Sequence, residues 1–197
     1  MCSVIGFAGE YDKETLDDVF KYSRIRGLHA FGYAYCKDDD IIVKRFFKYE
    51  HFIKSIHKAK PSKFIAHFRY STSGDHNVIE NNQPLKNGDE ALVFNGVVSQ
   101  MTLDEMKEAY TCHFGSDNDG WILLDIFDSL EAIKSSKLTY ASIMLRKSQI
   151  IALRNKKRPI WVGNRNGNTI LASTSDILKR SNVDEVTELK SNVYYKW

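Results

Sequence analysis

No run of apolar residues in this 197-residue chain approaches the roughly 18 needed to cross a bilayer, so no membrane span is expected. A surplus of one charge is also lacking. Lys and Arg number 28 against 25 Asp and Glu, and the two signs are interspersed. A formal net charge of +3 spread in this way gives no basic face for nucleic acid or an anionic membrane. Cysteine is scarce: three residues, at positions 2, 36 and 112. An odd count at wide spacing excludes a disulfide framework and supplies no Cys-x-x-Cys pair, and it fits reduced thiols in the cytoplasm. The six histidines (29, 51, 57, 67, 76 and 113) show neither His-x-x-x-His nor His-Glu-x-x-His spacing, so no metal site is expected. A glycine-rich phosphate loop is missing too. The first residues carry no basic stretch, and Glu10 to Lys13 cuts the apolar run short, which excludes a secretory signal.

What is present is a chain that can bury a core. Hydrophobic residues make up 43%, and the length favours one domain spanning 1–197. Residues 2–8 read as a buried strand, and Leu16, Val19 and Phe20 mark a helix over 14–24. Arg26-Gly27 is a turn before a strand from Phe31 to Cys36, and Asp38-Asp39-Asp40 leads into a strand from Ile41 to Phe47. Phe52, Ile53 and Ile56 predict a helix ending near Pro61, followed by a strand from Lys63 to Arg69. Residues 70–90 have little periodicity and read as a long loop, a feature often tied to function. A strand from Ala91 to Phe94 runs into Asn95-Gly96. Thr102 and Glu105 have capping-box spacing ahead of a helix over 103–110, and an apolar face predicts a longer helix over about 119–134. Strands dominate thereafter: Leu138 to Leu145 and Gln149 to Leu153, then Pro159 to Val162 and Thr169 to Ala172 flanking Asn166-Gly167. Ser173-Thr174-Ser175 caps a helix near 176–181, and strands from Val183 to Leu189 and Val193 to Trp197 follow. The pattern is α+β with largely antiparallel sheets, and the grouping of the helices allows two stacked sheets covered on both sides.

One residue carries unusual chemistry by its position. If Met1 is removed, Cys2 becomes the N-terminus and holds a thiol and a free α-amine on adjacent atoms. That is a nucleophile with its own base attached. Taken alone, a small apolar residue at position 2 usually has no such role.

Five stretches decide between these. His67-Phe68-Arg69-Tyr70-Ser71-Thr72-Ser73-Gly74 precedes Asn82-Gln83-Pro84-Leu85, then Phe94-Asn95-Gly96-Val97-Val98 and Ser116-Asp117-Asn118-Asp119. Leu153-Arg154-Asn155 with Arg158-Pro159-Ile160 follows. With Cys2 in front and Arg26-Gly27 between, the chain resembles the class II glutamine amidotransferase domain along nearly its whole length. The first stretches are most similar to the amidophosphoribosyltransferase branch, and Gln-Pro and Asn-Gly are also similar to asparagine synthetase.

The resemblance implies an N-terminal-nucleophile hydrolase fold, a four-layer αββα sandwich. It implies hydrolysis of the glutamine side-chain amide to glutamate and ammonia. Cys2 would be the nucleophile and form a γ-glutamyl thioester, with its α-amine moving the proton. Asn95 and Gly96 match the family's oxyanion hole, although Asn-Gly is also an ordinary turn signal. Arg69 would clamp the substrate α-carboxylate with its planar fork, or be a surface strand residue. Asp117 would pair with the α-ammonium, cap the helix after it, or both. Tyr70 and Thr72 would line the pocket, Arg26 would lie near the nucleophile, and His67 is read as a satisfied core histidine. No cofactor is implied.

Four positions depart from the family pattern. Ser3 replaces the common Gly, Phe94 a His, Ser73 a His of one branch, and Asn155 the Asp of an Arg-Asp pair. No segment that would use the ammonia is read between the last motif and Trp197, so the expected partner is a separate synthase. Two other readings stay open: an amidase acting on a different amide, and an inactive binding or regulatory module in which Met1 is kept.

Overall fold

The computed structural model describes residues 1–71, 75–135 and 138–197. Two antiparallel sheets pack face to face, and helices cover both outer surfaces. The first half of the chain supplies β1 (Ser3–Ala8), α1 (Lys13–Arg24), β2 (Ala30–Lys37), β3 (Asp40–Phe46), α2 (Tyr49–Ala59) and β4 (Lys63–Arg69). Then come β5 (Leu85–Asn87), β6 (Glu90–Val97), α3 (Leu103–Ala109), α4 (Gly120–Asp125) and α5 (Leu130–Ser135). The remainder forms β7 (Thr139–Arg146), β8 (Gln149–Arg154), β9 (Trp161–Arg165), β10 (Asn168–Ala172), α6 (Ser175–Arg180), β11 (Asp184–Glu188) and β12 (Tyr195–Lys196).

One sheet has the order β11-β9-β10-β1-β4-β2-β3 and the other β12-β8-β7-β6-β5. The period-2 rule sorts the core into three layers. Phe7, Phe64 and Phe68 face outward from the first sheet and meet Leu16, Phe20 and Phe52 of α1 and α2. Val4, Ile65, Ala91, Val93 and Ile143 lie between the sheets. Leu92, Phe94 and Met144 face out from the second sheet onto Met106, Ile122 and Leu123 of α3 and α4. The result is the four-layer αββα sandwich.

Local chemistry explains several boundaries. Asp12 caps α1 by accepting the Thr15 N–H, and Thr102 with Glu105 completes the capping box of α3. Asn166 and Gly167 both adopt positive φ in the β9–β10 hairpin, as the dipeptide predicts.

Three expectations are corrected. The helix over about 119–134 is two short helices. Ile126 ends α4, and Ser129 donates to its carbonyl at 2.9 Å. The Tyr194 hydroxyl donates to the Phe127 carbonyl, and Asp128 accepts from Arg146 at 2.8 Å. The Tyr194 bond takes a backbone carbonyl that a continuous helix would use in its i→i−4 ladder, while the apolar face that suggests one helix stays buried. The stretch 70–90 is not all loop: it holds a 3₁₀ turn (Ile79–Asn81) and β5. The cap expected from Ser173-Thr174-Ser175 is narrowed to Thr174, which takes the N-cap position of α6 without a side-chain bond, while Ser173 Oγ accepts the Val4 N–H at 2.9 Å. No helix among the described residues is long and apolar enough to cross a membrane.

Candidate active site

Strand register brings the sequence motifs to one end of the sandwich. β1 lies between β10 and β4, with Ser3 opposite Phe68. Cys2 therefore sits beside Arg69 and Tyr70, and its Sγ lies 3.6 Å from the Tyr70 carbonyl. Cys2 shares the inter-sheet face of Val4, two residues on, and Arg69 shares the face of Ile65 and His67. Arg26 donates from Nε to the Cys2 carbonyl at 3.2 Å, which fixes the Arg-Gly turn over the start of β1. Burial pushes the Cys2 thiol up. The Tyr70 backbone, the Met1 ammonium, Arg69 and Arg26 pull it the other way. Ser3, where the family has Gly, is fully buried with its hydroxyl unpartnered among the described residues.

Asn95 and Gly96 lie within β6, opposite Ala141 and Tyr140, and form no turn. Backbone direction can be read from their neighbours. The Phe94 N–H leaves toward Gln83 Oε1 at 2.6 Å, and the Val97 N–H points back to Thr139 Oγ1 at 3.1 Å. Antiparallel pairing alternates, so the Gly96 N–H points away from β7 into the cleft that Gly96 lines. A side chain at 96 would put Cβ 1.8 Å from the Thr139 carbonyl oxygen, so only glycine lets β6 approach β7 here. The Asn95 side chain lies on the inter-sheet face, in line with Ala91 and Val93, and meets Cys2 and Gly96 in a second cavity, so Gly96 borders both.

Arg69 is 6% exposed. Its Nη1 donates to the Asn81 carbonyl and to Asn82 Oδ1, both at 2.7 Å, and its Nη2 lies 3.3 Å from Ser71 Oγ. It is an inter-sheet residue, which removes the surface-strand reading. Asn81 is a hub: its Oδ1 accepts the Asp117 N–H and its carbonyl accepts Asn118 Nδ2, both at 2.9 Å. One buried asparagine thus ties the Arg69 segment to the Asp117 segment. Neither Asn81 nor Asn82 was expected from the sequence as a site organiser; the polar run before Gln83-Pro84 is the signal that could have found them.

Asp117 is exposed and lines the cleft. It does not cap the following helix, because Asp119 occupies the N-cap position of α4. Asp119 was also missed. Its Oδ2 accepts the Val98 and Ser99 N–H groups at 2.7 and 2.9 Å, and burial pushes its carboxyl up against those bonds. His67 is 1% exposed and held neutral, its pKa pushed down to about 3 by burial and then by Arg69. The expectation of a satisfied core histidine is half met. The ring is buried, but Nε2 has no partner among the described residues. Tyr70 is half-exposed and stacks on His29 at 5.1 Å. Thr72 and Ser73 lie outside the described residues.

Cys2 stands between two cavities. One encloses about 410 Å³, part of it open to solvent, and is lined by Cys2, Arg69, Gly96, Asp117 and Asp119. The other, about 760 Å³ and also open, is lined by Met1, Cys2, Asn95 and Arg158. Met1 is 62% exposed, and its thioether accepts from Arg158 at 3.0 Å. A nucleophile candidate, an inward backbone N–H, a buried guanidinium and an exposed carboxylate therefore share one polar cleft.

No family model matches the sequence, and no curated protein matches it. Solved structures do. The allosteric regulatory enzyme of purine biosynthesis aligns over 96% of this chain at 20% identity and a TM-score of 0.77. The glutamine phosphoribosylpyrophosphate amidotransferase from B. subtilis, complexed with ADP and GMP, aligns over 100% at 18% identity and a TM-score of 0.71. The chain spans about half the length of both, 45% and 49% respectively. A glutamine aminotransferase class-II domain protein from Silicibacter pomeroyi aligns over 99% of this chain and 94% of its own at 10% identity and a TM-score of 0.60. The chain has the fold of the class II glutamine amidotransferase domain.

Proposed function

We propose that this chain hydrolyses the side-chain amide of glutamine to glutamate and ammonia, with Cys2 as nucleophile. The observation that carries the reading is the convergence of Cys2, Gly96, Arg69 and Asp117 on one cleft. Arg69 and Asp117 are suited to the carboxylate and ammonium of a free amino acid, which favours glutamine over an amide that lacks them.

The reaction begins once Met1 is removed. The α-amine of Cys2, with an ordinary pKa of roughly 7.7–8.0, then becomes a base beside the thiol. Arg26, bonded to the Cys2 carbonyl, holds the residue that carries this amine in place. The amine takes the thiol proton as Sγ attacks the amide carbon. The carbonyl oxygen becomes an oxyanion facing the Gly96 N–H and the Asn95 side-chain amide, donors worth about 10²–10³ in rate each. Collapse breaks the C–N bond, the ammonium gives its proton to the leaving nitrogen, and ammonia departs from a γ-glutamyl thioester. Water, deprotonated by the amine, hydrolyses the thioester to glutamate and restores the thiol. Tyr70 lines the cleft together with Cys2.

The ammonia is assigned to a separate synthase, and no cofactor is needed for the hydrolytic half. The three cysteines are free, which suits a reducing compartment, and the activity is assigned to the cytoplasm. Steady-state glutamate release by protein of known N-terminus tests the reading. Release that is absent, or unchanged in Cys2→Ala, refutes it.

A further inference from the structure

We propose that Gln83 and Asp119 are positioning residues that bracket β6 and leave the Gly96 N–H as the one donor of its row presented to the reacting carbonyl. This rests on the glutaminase reading and deepens it. The N–H groups of Phe94, Gly96 and Val98 leave β6 on the side away from β7, because the Val97 N–H turns back to Thr139. β5 pairs with β6 only as far as Leu85 opposite Leu92, so the sheet does not use this row beyond that point. Gln83 Oε1 accepts the Phe94 N–H at 2.6 Å. Asp119 Oδ2 accepts the Val98 N–H at 2.7 Å and the Ser99 N–H at 2.9 Å. Gly96 lies between the two, and all three residues line the cleft with Cys2.

Both brackets are themselves held. Arg45 donates from Nε and Nη2 to the Pro84 carbonyl at 3.1 and 2.6 Å, which pins the residue after Gln83. Gln83 is 4% exposed, so its amide has little freedom. Asp119 is pressed toward β6 because Gly120 packs on Phe94, where a Cβ would lie 2.2 Å from the ring. Two acceptors on fixed supports thus orient the backbone on either side of the oxyanion donor. A misplaced donor loses its value in the transition state far more than in substrate binding.

The test compares Gln83→Leu and Asp119→Ala with the conservative Asp119→Asn, all with Met1 removed. Three quantities are measured: kcat, KM for glutamine, and the rate of Cys2 alkylation by iodoacetamide, which forms no oxyanion. Gln83→Leu and Asp119→Ala are expected to lose about 10–100-fold in kcat, with KM and alkylation little changed. Asp119→Asn keeps an acceptor oxygen and recovers most of the loss. Unchanged kcat in the truncated variants overturns the proposal, as does a parallel shift of kcat, KM and alkylation. Residue-level amide exchange on the unsubstituted protein tests the bracket even if variants fail to fold. Phe94, Val98 and Ser99 should be protected and Gly96 should exchange faster; equal protection at Gly96 overturns the bracket. Absence of glutamate release from unsubstituted protein refutes the glutaminase reading instead, and leaves the exchange pattern to decide this one.

Discussion

Replacing Arg69 by Ala should weaken glutamine binding and the fold by separable amounts. In the folded protein Nη1 makes two 2.7 Å bonds, to the Asn81 carbonyl and Asn82 Oδ1. Hydrogen bonds from a charged donor contribute about 1.5–3 kcal/mol each, but these share one nitrogen and do not add in full. The expected loss of stability is about 2–4 kcal/mol, read by chemical denaturation followed by circular dichroism. Loss of a fork-to-carboxylate contact worth about 2–3 kcal/mol should raise KM by about 30- to 150-fold, since each 1.36 kcal/mol is tenfold. The initial rate of glutamate release against glutamine concentration measures it. Arg69→Lys keeps the charge, but its single ammonium cannot hold Asn81, Asn82 and a carboxylate together, so it should recover only part of KM. A fall in kcat with KM unchanged in Arg69→Ala would refute the clamp.

Three further outcomes follow from the geometry. His67 is neutral in the fold, with its pKa down at about 3 against 6.5, so the unfolded chain binds the extra proton between those values and stability falls as pH drops through that window. Its share is about 1.4 kcal/mol per pH unit, and denaturation of His67→Gln at pH 7, 5.5 and 4.5 should show a flatter acid limb by that slope; identical slopes contradict a buried neutral ring. Gly96→Ala places a carbon 1.8 Å from the Thr139 oxygen and must part β6 from β7, so glutamate release should fall by about 10² or more while Cys2 alkylation persists. Thr102→Ala removes the Thr102 bond to the Glu105 N–H and leaves Glu105 Oε2 only the backbone of its capping box, which should cost about 1 kcal/mol of stability with kcat unchanged.

How much of this was legible before the structure depended on the range of the interaction. Short-range signals read well. The 3.6-residue spacing of Leu16, Val19 and Phe20 locates α1, and the strand read over Lys63 to Arg69 matches β4 at both ends. Asn166-Gly167 located a hairpin because its turn needs positive φ at both residues. The break between α4 and α5 was invisible, since it depends on Tyr194 and Arg146 reaching residues 67 and 18 positions away. The same holds in the site. Cys2, Arg69, Asn95, Gly96 and Asp117 stood out by motif, whereas Asn81 and Asp119 act through bonds across 36 and 21 residues, which no periodicity records. Asn95-Gly96 was ambiguous for a physical reason: the dipeptide that favours a turn in isolation is held extended here by pairing with β7.

Cys2 acting through its own α-amine can be tested in one measurement: glutamate release by two preparations of known intact mass, one with Met1 removed and one with Met1 retained. If Cys2 is the N-terminal nucleophile, the processed protein releases glutamate and ammonia one for one, and the unprocessed protein, whose Cys2 nitrogen is an amide, releases neither. Equal activity in both preparations would show that the amine is not the base and would contradict the mechanism at its first step.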